Sequence, residues 1–389
     1  MTSKLVRFTE HVGFPVSCIG VTQGNEIVLG GGGGAGRSGV RNKLTVYSVD
    51  SKKRKLEKTN ELELSSDEDA PTCLTMHPKE KVLASSINTS KEQIEKGQNK
   101  NCRVFTLTRR AVKPGKTANT ICSKSDFDYQ KCIAFDPTGK LLAGGATDGT
   151  LAVVQYPSLR PEFPFLDATE EINDVCFNTS AQWLAVATDD ELKILSTKAG
   201  SLVQTIDNPH TMSGKHAVFR FARFGPEKGT LKSAGSAKIE LKNVLYTVLN
   251  TKSRKQAYIT IWDTRNWKRL VTRPVCDSAI TTFALSKDGA LLAFATASLQ
   301  IGICDAHSLR ILARIQAAHS FAITSLSFDN QAKYLVSGSA DETCQIIEIP
   351  DKWPTAIEGV VDLVRENLQI IIMLLVLLLA IIFAWLARS

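Results

Sequence analysis

The run GGGGGAGRSGVRN (Gly30–Asn42) is the part of this chain whose composition is hardest to explain by folding alone. Consecutive glycines lose much conformational freedom when a segment becomes ordered, and a hairpin turn needs only a few residues. Gly34–Gly39 also matches the G-x-G-x-x-G pattern of dinucleotide-binding loops. Three interpretations follow: a nucleotide cradle, a flexible loop, or a protruding loop that docks on a partner through close backbone approach.

The residues after the glycines argue against nucleotide binding. A dinucleotide-binding loop must be followed by a helix, because the helix N-terminus holds the phosphate. Here KLTVYSV (Lys43–Val49) alternates and is rich in β-branched residues, which predicts a strand. The GKT at Gly115–Thr117 lacks the upstream glycine of a phosphate-binding loop. A flexible loop and a docking loop both remain open.

Strands arranged in a repeat must position this loop. Each unit contains a short apolar strand, a polar turn, a second strand ending in small residues, and a third strand. The clear copies are Lys131–Pro157, Asp174–Thr197, Ala279–Ala306 and Ala322–Ile349, and weaker copies begin near Val16, Thr72 and Val218. One unit cannot bury its own faces, so neighbouring units must stack. The pattern predicts an all-β, seven-bladed β-propeller over residues 1–350.

The repeats resemble degenerate WD repeats, because only Trp262-Asp263 carries the name-giving dipeptide. His319, Asp341 and Ser339 have the residue types of a hydrolytic triad. WD repeats use such a His and Asp to brace adjoining turns within a blade, so we expect a structural role for His319 and Asp341. The alternating segment Lys4–Thr9 should supply the outer strand of the last blade and remove two exposed sheet edges.

The C-terminal residues form a long apolar run, LQIIIMLLVLLLAIIFAWLA (Leu368–Ala387). At ~1.5 Å rise per residue, a helix of this length crosses a hydrocarbon core. We expect a juxtamembrane linker at 351–367, a transmembrane helix at 368–387 and a lumenal tail at 388–389. Because the N-terminal residues lack the apolar core of a secretory signal, the propeller should face the cytosol.

Charge and cysteine content exclude several classes of function. The net charge of +8 is dispersed, and the basic run KKRK (Lys52–Lys55) is soon followed by the acidic run Ser65–Ala70. Nucleic-acid binding is therefore not expected. The nine cysteines show no CxxC spacing and no nearby histidine cluster, so they predict neither a zinc site nor a disulfide framework.

The glycine segment carries a more specific resemblance. GGGGAGRSGVRN, placed after the first two strands of a seven-bladed propeller with a C-terminal anchor, resembles the Sec-type guanine-nucleotide exchange factors, the prolactin regulatory element-binding protein family. The resemblance covers the whole chain as architecture and residues 31–42 as motif identity. It implies activation of a Sar-type small GTPase at the endoplasmic reticulum membrane, which starts COPII vesicle formation. Other COPII components would be further partners.

The resemblance also implies roles for individual residues. Asn42 would be needed for exchange, and backbone carbonyls of the loop could hold a potassium ion, the one cofactor implied. The other GTPase-contacting residues would be Gly31, Gly32, Gly33, Gly34, Gly36, Arg37, Ser38, Gly39 and Arg41. We expect the Asn42 amide to face the GTPase, while Arg37, Arg41 and Lys43 add electrostatic steering.

Exchange involves no covalent chemistry, so no catalytic acid, base or nucleophile is expected. One departure from the family concerns the C-terminal end: many fungal members carry a large lumenal domain after the membrane span. The alternative function, from a different class, is a membrane-anchored propeller scaffold in ER-to-Golgi traffic without exchange activity.

Overall fold

The computed structural model describes residues 5–36, 39–207, 217–226 and 243–353, and these form a ring of four-stranded antiparallel sheets. The described residues contain seven such sheets, so the prediction of a seven-bladed propeller is confirmed. The elements in chain order are β1 (Arg7–His11), β2 (Val16–Val21), β3 (Ile27–Gly31), β4 (Lys43–Asp50), β5 (Lys55–Glu63), β6 (Cys73–Met76), β7 (Val82–Ser86), α1 (Lys91–Glu95), β8 (Cys102–Leu107), β9 (Val112–Ala118), β10 (Gln130–Phe135), β11 (Leu141–Ala146), β12 (Thr150–Gln155), β13 (Leu166–Asp167), β14 (Asp174–Phe177), β15 (Trp183–Ala187), β16 (Glu191–Ser196), β17 (Leu202–Asp207), β18 (Ala217–Phe224), β19 (Val244–Thr251), β20 (Ala257–Asp263), β21 (Lys268–Cys276), β22 (Ile280–Leu285), β23 (Leu291–Thr296), β24 (Ile301–Asp305), β25 (Ile311–Ile315), β26 (Ile323–Phe328), β27 (Tyr334–Ser339) and β28 (Thr343–Glu348).

Each of blades 1 to 6 is a meander of four consecutive strands, beginning with β2–β5 as blade 1 and ending with β22–β25 as blade 6. The first strands of neighbouring blades contact each other, so they line the centre of the ring. The second strands β7 and β23 are buried at every position. Both faces of such a strand meet another blade, which explains why these strands read as apolar and small residues without alternation.

The hydrophobic core lies between adjacent blades. Seven clusters of buried side chains occupy the described structure, and each joins two neighbouring blades. In one of them Val16 and Leu29 of blade 1 pack against Val336 and Ile346 of blade 7. A fully buried side chain of this size contributes about 1.5–3 kcal/mol. The blades therefore stabilise one another around a complete ring.

The two ends of the propeller meet in blade 7, which contains β26–β28 and takes β1 as its outer strand. The strand β1 pairs antiparallel with β28, with Phe8 opposite Ile346. The predicted closure by an N-terminal strand is therefore confirmed. The strand begins and ends later than Lys4–Thr9, because its pairing continues as far as Thr343 at the start of β28. Lys4 itself lies outside the described residues.

One edge of the ring matters for function, and we call it the loop face. It contains the connections between second and third strands and the connections from one blade to the next, because both leave the same end of a meander. The β3–β4 connection is the glycine segment. The β7–β8 connection carries the short helix α1. On the β9–β10 connection, Phe127 is 86% exposed.

The predicted membrane helix at 368–387 and the tail at 388–389 lie outside the described residues, as does the linker from residue 354 onward. In the part of the chain that the structure describes, no helix combines the length and apolar character needed to cross a bilayer. The membrane anchor remains a prediction from the sequence.

His319 and Asp341 lie on the loop face of blade 7. The His319 ring nitrogens lie 2.8 Å from the Thr343 and Ser337 hydroxyls. Asp341 Oδ2 accepts a hydrogen bond from the Ser320 backbone N–H at 2.7 Å. The Ser339 hydroxyl donates to a backbone carbonyl of Phe321 instead of contacting His319. These contacts hold adjoining turns together, as the bracing role requires, and do not form a nucleophile–base pair.

Both groups have shifted pKa values. Burial lowers the pKa of the His319 imidazole below its ordinary value of 6.5, and the Asp341 carboxylate opposes this shift without cancelling it. For Asp341, burial alone would raise the pKa, but hydrogen bonds from Thr343 and Ser320 hold it well below the ordinary value. In both cases the folded protein binds protons less readily than the unfolded chain, so acid should destabilise the fold.

We expect the free energy of unfolding to fall between about pH 7.5 and pH 5, and to fall less in His319→Gln. The unfolded chain gains this histidine's proton near pH ~6.5, while the folded site resists protonation. Asp341 adds its own loss only at lower pH, below its ordinary value of 3.8. Urea denaturation at the two pH values measures the difference. Equal pH dependence in the variant and the wild type would contradict the expectation.

Candidate functional site: the glycine loop

The glycine loop, Gly31–Asn42, joins two strands of blade 1. It leaves β3 at Gly31 and enters β4 at Lys43. The strand that follows the loop agrees with the sequence prediction and removes the helix that a dinucleotide cradle would need. At its base, the Gly32 backbone N–H donates to the Pro15 carbonyl at 3.0 Å. The base of the loop is therefore attached to the segment that enters blade 1.

Asn42 lies inside the loop and is 1% exposed. Its side-chain oxygen accepts a hydrogen bond from the Gly34 N–H at 2.9 Å. Its side-chain nitrogen donates to the Gly34 carbonyl at 3.1 Å and to the Glu68 carbonyl at 2.7 Å. The amide thus pairs with Gly34 as a neighbouring strand would, and it fixes the path of the loop around itself.

This geometry corrects one expectation. We expected the Asn42 amide to face the GTPase, but all of its hydrogen bonds listed above are made within this chain and the side chain is buried. The reason is that the loop would otherwise leave backbone groups unpaired, and a side-chain amide offers both a donor and an acceptor for them. A requirement for Asn42 in exchange stays a prediction, now through the shape of the loop.

The glycine at position 32 has a specific steric role. Its φ angle is +144°, and a Cβ there would lie 2.3 Å from Asn42 Oδ1 and 2.5 Å from Asn42 Cα. Real Cβ atoms do not approach other atoms so closely, so a side chain at position 32 is incompatible with this loop. Asn42 can approach the β3 end of the loop only because Gly32 has no side chain.

The outer part of the loop presents backbone rather than side chains. Gly33, Ala35, Gly36 and Gly39 are exposed. A Cβ added at Gly36 or Gly39 would meet nothing within 4 Å. The predicted contact residues Arg37 and Ser38 lie outside the described residues. A partner that reaches the described part of the loop would therefore meet peptide groups and small residues.

A second segment supports the loop, and the sequence gave no warning of its role. We call residues 64–72, which lead from β5 to β6, the connector. The Leu64 N–H donates to the Asn42 carbonyl at 2.8 Å, and the Ala35 N–H donates to Asp69 Oδ1 at 3.2 Å. In the sequence these acidic residues were visible only as a charged run. Their contacts with the loop require the fold.

The basic residues near the loop are paired with acids. Arg41 forms a largely exposed ion pair with Glu63. Lys43 Nζ lies 3.6 Å from Glu61 and 5.3 Å from the centroid of the Phe14 ring. Burial alone would raise the pKa of the Glu61 carboxyl, but Lys43 and a second lysine outweigh burial and lower it. Exposed pairs are worth about 0–1 kcal/mol, so a partner could displace Arg41 from Glu63 at little cost.

The described residues contain no group of three His, Cys, Asp or Glu side chains arranged to hold a metal ion. The oxygen donors near the loop are its own backbone carbonyls and the Asp69 carboxylate.

The architecture and the repeats define the class of this protein as a WD40-repeat β-propeller. Residues 123–154 and 310–348 match the family described as WD domain, G-beta repeat. The two matches fall on blade 3 and on the strands from β25 to β28, where the sequence repeat was clear.

The chain is also similar to several proteins over most of its length. It is 28% identical over 321 residues to SEC12-like protein 2 of Arabidopsis thaliana, which is 82% of this chain and 74% of that protein. It is 25% identical over 344 residues to the guanine nucleotide-exchange factor SEC12 of Candida glabrata, covering 87% and 71% of the two chains. The rat protein of the same name is 24% identical over 61% of this chain and 59% of its own length.

Proposed function

We propose that this protein is a guanine-nucleotide exchange factor for a Sar-type small GTPase. The observation that carries the proposal is its similarity, over 87% of the chain, to a protein named as a guanine nucleotide-exchange factor. The glycine loop supports it, since an internally braced loop on one face of a rigid ring is suited to engage a partner. Its backbone is accessible at Gly33, Ala35, Gly36 and Gly39.

The mechanism follows from linkage. A small GTPase that binds nucleotide with picomolar affinity holds it by about −16 kcal/mol. A protein that binds the nucleotide-free form more tightly than the loaded form weakens nucleotide binding by the same factor. The proposed role of the glycine loop is to occupy the phosphate-binding and switch regions with its backbone. Asn42 holds the loop in that shape before the partner arrives, so less ordering is needed on binding.

A potassium ion fits the donors that the loop offers, and we propose that the loop binds one. Backbone carbonyls are the oxygen donors that potassium accepts in protein sites. The Asp69 carboxylate, next to the Ala35 N–H, adds negative charge nearby. A bound ion would reduce repulsion among carbonyl dipoles that point the same way. Replacing potassium by lithium at constant ionic strength should then lower the hydrogen-exchange protection of residues 31–36, and unchanged protection would refute the site.

The setting of the reaction is also part of the proposal. The apolar run Leu368–Ala387 would anchor the chain in the endoplasmic reticulum membrane, with the propeller in the cytosol and the activated GTPase starting COPII assembly. Extraction of cell membranes at alkaline pH tests the anchor, because a spanning protein stays with the lipid pellet. Release of the full chain into the supernatant would disprove anchoring.

The central test is a nucleotide-release assay. The full-length chain in detergent micelles is mixed with a Sar-type GTPase loaded with fluorescent GDP, and release is followed after addition of excess GTP. We expect release to accelerate by at least about tenfold, within the range of typical coupling between two ligands. An unrelated small GTPase loaded in the same way is the control. An unchanged release rate would disprove exchange activity.

A second candidate, a scaffold without exchange activity, is favoured by exposed aromatic side chains on the loop face. Phe127 and Phe321 are 86% and 63% exposed, and propellers commonly bind other proteins through such surfaces. The same assay separates the two functions: a scaffold would bind the GTPase without changing the rate of nucleotide release.

A further inference from the structure

Arg103 of blade 2 makes an ion pair with the connector that supports the glycine loop. Its two terminal nitrogens donate to the two Glu68 carboxylate oxygens, each at 2.8 Å. Its Nε donates to the Lys100 carbonyl at 3.2 Å. The Arg103 and Glu68 side chains are only 13% and 23% exposed. Such a two-pronged, recessed pair is more rigid and less screened than an exposed one.

The same connector residue also touches the glycine loop. The Glu68 backbone carbonyl accepts the 2.7 Å hydrogen bond from the Asn42 amide, which is shorter than the bond from that amide to Gly34. Glu68 therefore faces Arg103 with its side chain and Asn42 with its backbone. A shift of Glu68 would move the acceptor on which the Asn42 amide is oriented.

The next residue along the connector repeats this arrangement. The Asp69 N–H donates to the Asn88 carbonyl of the blade 2 insertion at 3.0 Å. Its carboxylate accepts the Ala35 N–H of the glycine loop. The connector is thus attached to blade 2 at two points and to the loop at two points. The shape of a loop in blade 1 is referenced to the neighbouring blade.

We propose that Arg103 is a positioning residue for nucleotide exchange, acting through Glu68 and Asn42 on the shape of the glycine loop. This inference rests on the proposed exchange function. Arg103 and Glu68 are recessed beneath the loop, so they set its geometry without needing to contact the GTPase. Their loss should reduce the maximal exchange rate more than it reduces GTPase binding.

The test uses full-length protein in detergent micelles and a Sar-type GTPase loaded with fluorescent GDP. We expect Arg103→Ala to lower the maximal exchange rate about tenfold, the factor that corresponds to 1.4 kcal/mol. The GTPase concentration at half-maximal rate should stay within about threefold of wild type. Arg103→Lys should be intermediate, because an ammonium group cannot reproduce the two-pronged contact. Arg265→Ala, which removes an arginine paired with Asp263 at the opposite edge of the ring, is the matched control.

Two further measurements separate positioning from general destabilisation. Since Arg103 acts through Glu68, the double variant Glu68→Ala/Arg103→Ala should be no slower than either single variant. Hydrogen exchange of the free protein should show that residues 31–36 lose protection in Arg103→Ala and keep it in Arg265→Ala. This second measurement requires no GTPase.

Unchanged loop protection in Arg103→Ala would overturn the inference, and so would lost protection with a wild-type exchange rate. Additive effects of the two substitutions would also overturn it. If wild-type protein fails to accelerate release at all, the proposed function itself fails and the positioning role falls with it. An active wild type with an equally active Arg103→Ala defeats the positioning role alone.

Discussion

Asn42→Ala should slow GTPase nucleotide exchange by about tenfold or more, a loss equivalent to at least ~1.4 kcal/mol. The substitution removes the amide that pairs with Gly34 and with the Glu68 carbonyl. Each backbone group left without a partner in a buried position costs about 1–3 kcal/mol. The loop would adopt other shapes to hydrate these groups, and the population of the binding shape would fall.

The measurement is the fluorescent-GDP release assay, and Asn178→Ala is the matched control. Asn178 is also buried, and its side-chain oxygen accepts hydrogen bonds from the Gln182 and Trp183 N–H groups in a turn of blade 4 at the opposite edge of the ring. Both variants should lose some stability, but only Asn42→Ala should lose exchange. Wild-type exchange in a well-folded Asn42→Ala protein would defeat the proposed role of the loop.

Asn42→Asp separates the shape of the side chain from its hydrogen bonding. The aspartate can still accept the Gly34 N–H, but it cannot donate to the Gly34 and Glu68 carbonyls. A buried carboxylate facing two carbonyl oxygens is unfavourable. We therefore expect Asn42→Asp to exchange no faster than Asn42→Ala, and a wild-type rate would contradict the hydrogen-bonding explanation.

Gly32→Ala should abolish most of the exchange activity while leaving the propeller folded. The added Cβ would lie 2.3 Å from Asn42 Oδ1, 2.5 Å from Asn42 Cα and 2.8 Å from the Arg41 carbonyl. Two of these three atoms belong to the backbone, so a side-chain rotation cannot relieve the conflict. The φ angle of +144° adds strain for any residue other than glycine. The loop must open, and the reduction should match or exceed that of Asn42→Ala.

Gly24→Ala is the control for this prediction, because it lies in the β2–β3 turn at the other end of the same blade. A Cβ there would meet nothing closer than 3.8 Å. Thermal denaturation should place the midpoints of both variants within about 4 °C of wild type, the shift that ~1 kcal/mol produces in a domain of moderate size. A Gly32→Ala protein with wild-type exchange would show that the described loop shape is not the active one.

The propeller could be predicted from the sequence because its signals are local. Short apolar strands, small residues in the second strands and polar turns recur in each unit, and closure by an N-terminal strand follows from the missing outer strand of blade 7. The glycine loop was found because its composition does not suit a hairpin. The bracing position of His319 and Asp341 was also legible, because it recurs at a fixed place within a WD repeat.

The wiring of the candidate site could not be predicted in the same way. The Asn42 amide reaches a carbonyl 26 positions away, and Arg103 reaches a carboxylate 35 positions away. No periodic pattern marks such pairs, and a buried asparagine has the same letter as an exposed one. For that reason the sequence suggested an Asn42 side chain directed at the partner, whereas the folded chain turns it inward.

The residue pattern by itself determined the blade count, the ring and the place of the unusual loop, since alternation and turn chemistry act between near neighbours along the chain. Only the tertiary structure decided which atoms hold that loop. Stacking blade 2 against blade 1 brings the connector under Gly34 and Asn42, and hydrogen bonds between these distant segments form only when the ring has closed. The long-range packing therefore converts a flexible composition into a defined shape.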